Sequence, residues 1–222
     1  MNTAMAAADR TRHASCCGAT GGSLRGRVAL AGLLALVLPL GAWAQQVWSF
    51  EASLDGKPIG QHVFTLETQD GGGRSLRSEA RFDVKLLGIT VYRYRHQAQE
   101  RWQGDCLKSL TADTDDNGDK LAVRLEPGDP LLAGCAMSFA YWNRAILKQR
   151  ELLNAQTGKL EAVRIEPLPA GSIDVRGQSV EAQRWRIVAL KQRIDLWYDG
   201  SGRWVGLDGT LEGGKLLSYR LR

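Results

Sequence analysis

Between Ser75 and Val84 the chain reads SLRSEARFDV, and the residue types alternate. Leu76, Ser78, Ala80, Phe82 and Val84 share one parity; Arg77, Glu79, Arg81 and Asp83 share the other. A period of two places one set on each face of an extended strand, and a helix would scatter both sets around its axis. The rhythm recurs in VWSFEASL, QHVFTLET and ITVYRYRHQAQERW. It returns after residue 155 in KLEAVRIE, SIDVRG, EAQRWRIVAL, RIDLWYD, RWVGLDGTL and LLSYRLR. Gly, Asp and Pro separate these runs, as in DGKPIG and QDGGGR, and supply turn backbone angles. Short strands with few residues between them predict an all-β fold. We expect an antiparallel meander of roughly ten to twelve short strands, curled into a barrel or half-barrel.

One stretch breaks the pattern. In YWNRAILKQRELLNAQTGKL, residues 141–160, Asn143 is a good N-cap and Ala145, Leu147, Lys148 and Gln149 favour helix. The spacing predicts one short helix here. Trp142, Asn143 and Arg144 are therefore the candidate ligand-binding residues. Two roles are open to them. Trp142 and Asn143 would anchor and cap a helix that plugs an open end of the sheet. Alternatively the helix would be a lid, with Arg144 meeting an anionic head group through its planar fork.

The first 44 residues read as a targeting segment. Arg25 and Arg27 precede the apolar run VALAGLLALVLPLGAWA, which ends in Ala42-Trp43-Ala44. A basic start, a short apolar run and small residues around the cut form the pattern of a cleaved signal peptide. Pro39 and Gly41 make it a poor membrane span, which needs about 20 apolar residues. We therefore expect residues 1–44 to be removed, residues 45–222 to form a single β-rich domain, and the product to be periplasmic. The formal net charge is +5, but Arg10, Arg12, Arg25 and Arg27 against Asp9 lie in the segment removed, leaving +2. The remaining Lys and Arg are interleaved with Asp and Glu, which argues against a nucleic-acid partner. Cys106 and Cys135 remain, and an even pair in an exported chain predicts a disulfide.

Motifs for chemistry are few. In DTDDNGDKLAVR, Asp113, Asp115, Asn117 and Gly118 match the opening of a calcium loop, but Arg124 stands where a bidentate carboxylate belongs. Asn117-Gly118 is instead the strongest signal for a two-residue hairpin turn. His62 and His96 each share parity with apolar strand residues and are expected in the core. No metal site, cofactor or catalytic residue is expected, which weighs against an enzyme. Trp48, Trp102, Trp142, Trp185, Trp197 and Trp204 would be core, or would line a cavity or a sugar-binding surface.

The order of several motifs resembles a family of exported bacterial proteins classed only as a domain of unknown function. These motifs are the opening turn Asp55 to Gly60, Trp142-Asn143, Leu152 to Gly158, and the stretch from Trp197 to Trp204. The resemblance implies a β-rich periplasmic domain and supplies no reacting residue. Three functions are consistent with this. The domain would bind an apolar or amphipathic small molecule in envelope lipid handling. Alternatively it would be an envelope protein-interaction or assembly factor without a small-molecule site. The third is a sugar-binding protein or hydrolase using surface Trp. A filled core with one exposed apolar patch would favour the second.

Overall fold

The computed structural model describes residues 45–189 and 192–222. The expected signal peptide lies outside the described residues. Thirteen strands follow in chain order: β1 (Gln45–Leu54), β2 (Lys57–Thr68), β3 (Gly73–Leu86), β4 (Ile89–Gln103), β5 (Cys106–Asp116), β6 (Asp119–Leu125), β7 (Glu151–Leu153), β8 (Leu160–Ala162), β9 (Arg164–Val175), β10 (Gln178–Val188), β11 (Arg193–Asp199), β12 (Trp204–Thr210) and β13 (Leu216–Leu221). Eleven of them form one antiparallel sheet in the order β6-β5-β4-β3-β2-β1-β13-β12-β11-β10-β9, and β7 pairs with β8 alone. The sheet is that of a half-barrel: it ends at β6 and β9 and does not close on itself. Bulges at Ala52/Ser53, Arg101/Trp102, Ala182/Arg184 and Trp197/Tyr198 tighten its coil.

Turn chemistry sets the registers. Asp55-Gly56 and Asn117-Gly118 both carry positive φ at their two positions, as a two-residue hairpin turn requires. Gly60 is needed for a different reason. A Cβ there would stand 1.9 Å from the carbonyl oxygen of Arg81 on β3. At Gly206 of β12 a Cβ would stand 2.4 Å from Cδ1 of Ile173, because β9 lies over that face.

The core lies on the inner face of the curl. Phe50, Phe64, Phe82, Trp102, Leu107, Leu196, Tyr198, Trp204 and Tyr219 are all buried. The Trp204 ring centres this cluster, with centroids 4.3 Å from Phe50, 5.1 Å from Phe64 and 5.4 Å from Tyr141. The chain between β6 and β9 enters this space as an inserted segment. Its Met137, Ile146, Leu152 and Leu153 are fully buried. A disulfide joins Cys106 to Cys135 and ties the segment to the start of β5, where Leu107 N–H donates to the Ala136 carbonyl at 2.9 Å.

The expected short helix is a five-residue 3-10 turn, Arg144–Lys148. The propensity is there, but the backbone is extended at both Asn143 and Gln149, which leaves no room for an α-helical nucleus. The turn still positions Ile146 in the core. The strands also differ from expectation, since β3 and β4 run to 14 and 15 residues.

Candidate docking surface

The two rims of the curl have different characters. The upper rim carries the β2–β3, β4–β5 and β11–β12 turns. Here Trp142, Asn143 and Arg144 reach three separate parts of the sheet. The Trp142 ring meets Trp102 of β4 edge to face at 5.5 Å, and the Arg74 guanidinium of β3 lies 4.6 Å above it. Asn143 accepts from Ala145 N–H at 3.0 Å and donates to Asp105 in the β4–β5 turn at 3.0 Å. Arg144 lies over Tyr198 of β11 at 5.5 Å and donates to Gln183 of β10 at 3.3 Å. The triplet thus laces β3, β4 and the β4–β5 turn to β10 and β11 across the open side of the sheet.

Besides buried tyrosines, one carboxyl and two imidazoles face the interior. Glu100 of β4 is 5% exposed and accepts from the Trp102 indole N–H at 2.9 Å. Burial pushes its carboxyl up to about 7, against the lowering effect of polar neighbours. The Ser138 hydroxyl of the inserted segment faces it without closing a well-formed hydrogen bond. His62 lies among aromatic rings, stacked on Phe64 at 4.0 Å, with Nδ1 3.2 Å from the Tyr219 hydroxyl. Part of the residue keeps some exposure, yet Nε2 is sealed from solvent and unpartnered. That enclosure, reinforced by the charge of His96, takes the ring down to about 3. His96 Nδ1 sits 2.8 Å from the Thr114 hydroxyl, and burial lowers its pKa as well. Glu100 shares the parity of His96, Ala98 and Trp102, a signal that marks a carboxylate on the core face. Arg124 occupies the twelfth position of the calcium-like stretch and pairs with Asp113 at the first, at 2.6 Å.

The lower rim carries the β1–β2, β3–β4, β5–β6 and β12–β13 turns. From it the β3–β4 hairpin projects alone. Phe82 is the last β3 residue paired with β2, and Tyr94 is the first β4 residue paired with β5. Beyond them the ladders to β2 and β5 stop, although Asn117 N–H still donates to the Arg93 carbonyl at 2.7 Å and the Tyr92 hydroxyl to Asp116 at 2.5 Å. From Phe82 to Leu86 the ribbon is about 13 Å long at roughly 3.3 Å per residue, and β2 itself runs on from Gly60 to Lys57 without pairing to β3. Its tip is apolar: Leu86 is 63% exposed, Leu87 95%, Ile89 70% and Val91 52%. Leu86 pairs with Ile89 and Val84 with Tyr92, on the face that continues the core. Lys85 and Thr90 pair on the opposite face. Leu87-Gly88 forms the turn, with φ of 50° and 83°. A leucine is costly in this left-handed position, where the sister turns use Asp55 and Asn117. The combination of a Leu-Gly turn with uncharged flanks, LLGITV, was the sequence signal for this tip.

Residues 50–222 match the DUF6134 family, described as a domain of unknown function. The chain belongs to that family. No curated protein matches it. The fold is similar to a crystal structure of a β-barrel-like protein of the domain of unknown function DUF1849 from Brucella abortus. The likeness has a TM-score of 0.52 at 11% identity and covers 79% of this chain and 94% of that one. It concerns the fold alone. In this DUF6134 chain, the motifs noted in the sequence have structural work. Asp55-Gly56 and Gly60 set the first hairpin. Asn154 accepts from Gln156 and Thr157 N–H at 2.8 and 3.2 Å to turn β7 toward β8. Trp197 donates to Asp208 at 2.8 Å, and Trp204 centres the core.

Proposed function

We propose that this chain is a docking domain of the cell envelope, in which a filled half-barrel holds the β3–β4 ribbon out toward a partner. The observation that carries this is the ribbon tip. Four large apolar side chains stand exposed together on a hairpin free of strand neighbours. Monomeric proteins seldom expose contiguous apolar patches without a binding role. The inner face supports docking over an interior ligand, because aromatic rings and the inserted segment occupy it. Export is supported by the N-terminal pattern and by the Cys106–Cys135 bond. Among the described residues no helix is long and apolar enough to cross a membrane.

The test is fractionation of cells producing the chain. Washed envelopes should retain the wild-type protein. The combined variant Leu86→Ser, Ile89→Ser, Val91→Thr should pass into the soluble fraction with its melting temperature unchanged. Equal retention of the two proteins would overturn docking through this ribbon.

A further inference from the structure

The ribbon's partner can be assigned from its chemistry. We infer that the β3–β4 tip inserts into the surface of an anionic lipid bilayer, with lysines of the same rim holding the head groups. This rests on docking through the ribbon and names what it docks to.

Shape comes first. The tip is convex and isolated, with Leu87 at its apex and Leu86, Ile89 and Val91 behind it. A protruding apolar wedge can enter the head-group and acyl boundary without a preformed groove, and binding strength there scales with apolar area and attraction to anionic lipid. Leu86 and Ile89 are paired with each other across the hairpin, and the outer N–H and C=O groups of the ribbon need water or head groups, which limits the tip to the head-group and acyl boundary.

Charge comes second. Lys57, Lys85 and Lys215 are exposed on this rim. Lys57 follows the β1–β2 turn, and Lys215 precedes β13 beside Asp55, whose carboxylate accepts from Leu216 N–H at 2.9 Å. Among the described residues none of the three forms an ion pair. Among the described residues the salt bridges are made by arginine, and on the ribbon Arg93 and Arg95 neutralise Asp83. A side of the rim whose ammonium groups form no ion pair among the described residues, with the Asp55 carboxylate taken up by Leu216 N–H, stands beside an apolar tip and matches a surface of phosphate head groups above hydrocarbon. Asp115, Asp116 and Asp119 flank the β5–β6 turn, so Lys57 and Lys215 lie on the side of β1, β2 and β13, where Asp55 and Glu212 are the acidic residues of the two turns.

The experiment is co-sedimentation of the full chain, as purified from cells, with vesicles of phosphatidylglycerol and, separately, of phosphatidylcholine. Wild-type protein should bind phosphatidylglycerol more tightly and release in high salt. Lys57→Gln, Lys85→Gln and Lys215→Gln should each weaken binding about fivefold, the loss expected for one lysine at an anionic surface. Leu87→Asn and Ile89→Ser should weaken binding to both lipids. Every variant shares the same N-terminal segment, so differences report the ribbon and rim alone. Vesicle binding that ignores both sets of substitutions would overturn the inference. Failure to bind vesicles, with envelope retention still lost in the ribbon variant, would also overturn it and assign the ribbon to a protein partner while leaving docking intact. If retention is indifferent to the ribbon too, docking itself is wrong.

Discussion

Replacing Glu100 by glutamine should stabilise the protein in alkaline solution and leave it nearly unchanged in mild acid. The carboxyl is buried against Trp102, and its pKa rises from 4.5 to about 7. A group raised on folding contributes stability that is complete below the unfolded pKa and disappears as pH climbs through the folded one. The loss therefore develops between pH 4.5 and about 7 and is complete above that. At about 1.4 kcal/mol per unit the full cost approaches ~3 kcal/mol. Glutamine keeps an oxygen to accept from the Trp102 indole, 2.9 Å away, and has no charge to bury. In thermal melts Glu100→Gln should raise the midpoint at pH 8 by about 6–12 °C, at roughly 2–4 °C per kcal/mol for a domain of this size. At pH 5 the two proteins should agree to within about 1 kcal/mol. A variant destabilised to the same extent at both pH values would refute the reasoning, since it would mean that the carboxylate is ionised and well partnered in the fold.

Acid should act through the histidines with the opposite sign. His62 falls from 6.5 to about 3, so its contribution is complete above pH 6.5 and is lost as pH drops toward 3; His62→Phe should flatten that limb of the stability curve. On the upper rim, Trp142→Ala should cost about 3 kcal/mol, the low end for a large aromatic because the ring is only half-buried. Asn143→Ala should cost about 1–2 kcal/mol through the lost cap and the lost bond to Asp105. Equal effects of the two in denaturant titrations would contradict this ranking. Gly206→Ala should destabilise by about 1–3 kcal/mol through its clash with Ile173, and Ile173→Val, which removes the offending Cδ1, should restore part of the loss, the Tyr219 carbonyl oxygen 3.0 Å away remaining.

The hairpins were legible in the sequence because their chemistry is local. Asp55-Gly56 and Asn117-Gly118 need no tertiary context to turn, and alternation told which face of β3 would be buried. The family resemblance was legible for a similar reason, since its motifs mark turns and core anchors. The helix was misread because a cap and good propensities cannot register that Ile146 must enter the core within one turn while the backbone resumes as strand after Gln149. Glu100 escaped notice as one charge among many on strands, although its parity placed it with Ala98 and Trp102. The ribbon was hidden by the same alternation that reveals strands. Leu86 and Ile89 have the pattern of core residues, the Leu87-Gly88 turn is the one local hint of an apolar tip, and the registers of β2 and β5 show that no strand flanks them.

The central claim is that the exposed tip is kept for docking at a cost in stability, and Leu87→Asn tests it in one protein. Leu87 holds φ at 50°, a conformation that asparagine adopts more readily. The substitution should therefore raise the melting temperature slightly, by the equivalent of about 0.5–1 kcal/mol, while removing the apex of the apolar wedge. The measurement is envelope retention of Leu87→Asn against wild type, made alongside the melt. Docking predicts a protein that is at least as stable as wild type and released from washed envelopes. A protein that is as stable and retained as fully as wild type would contradict it.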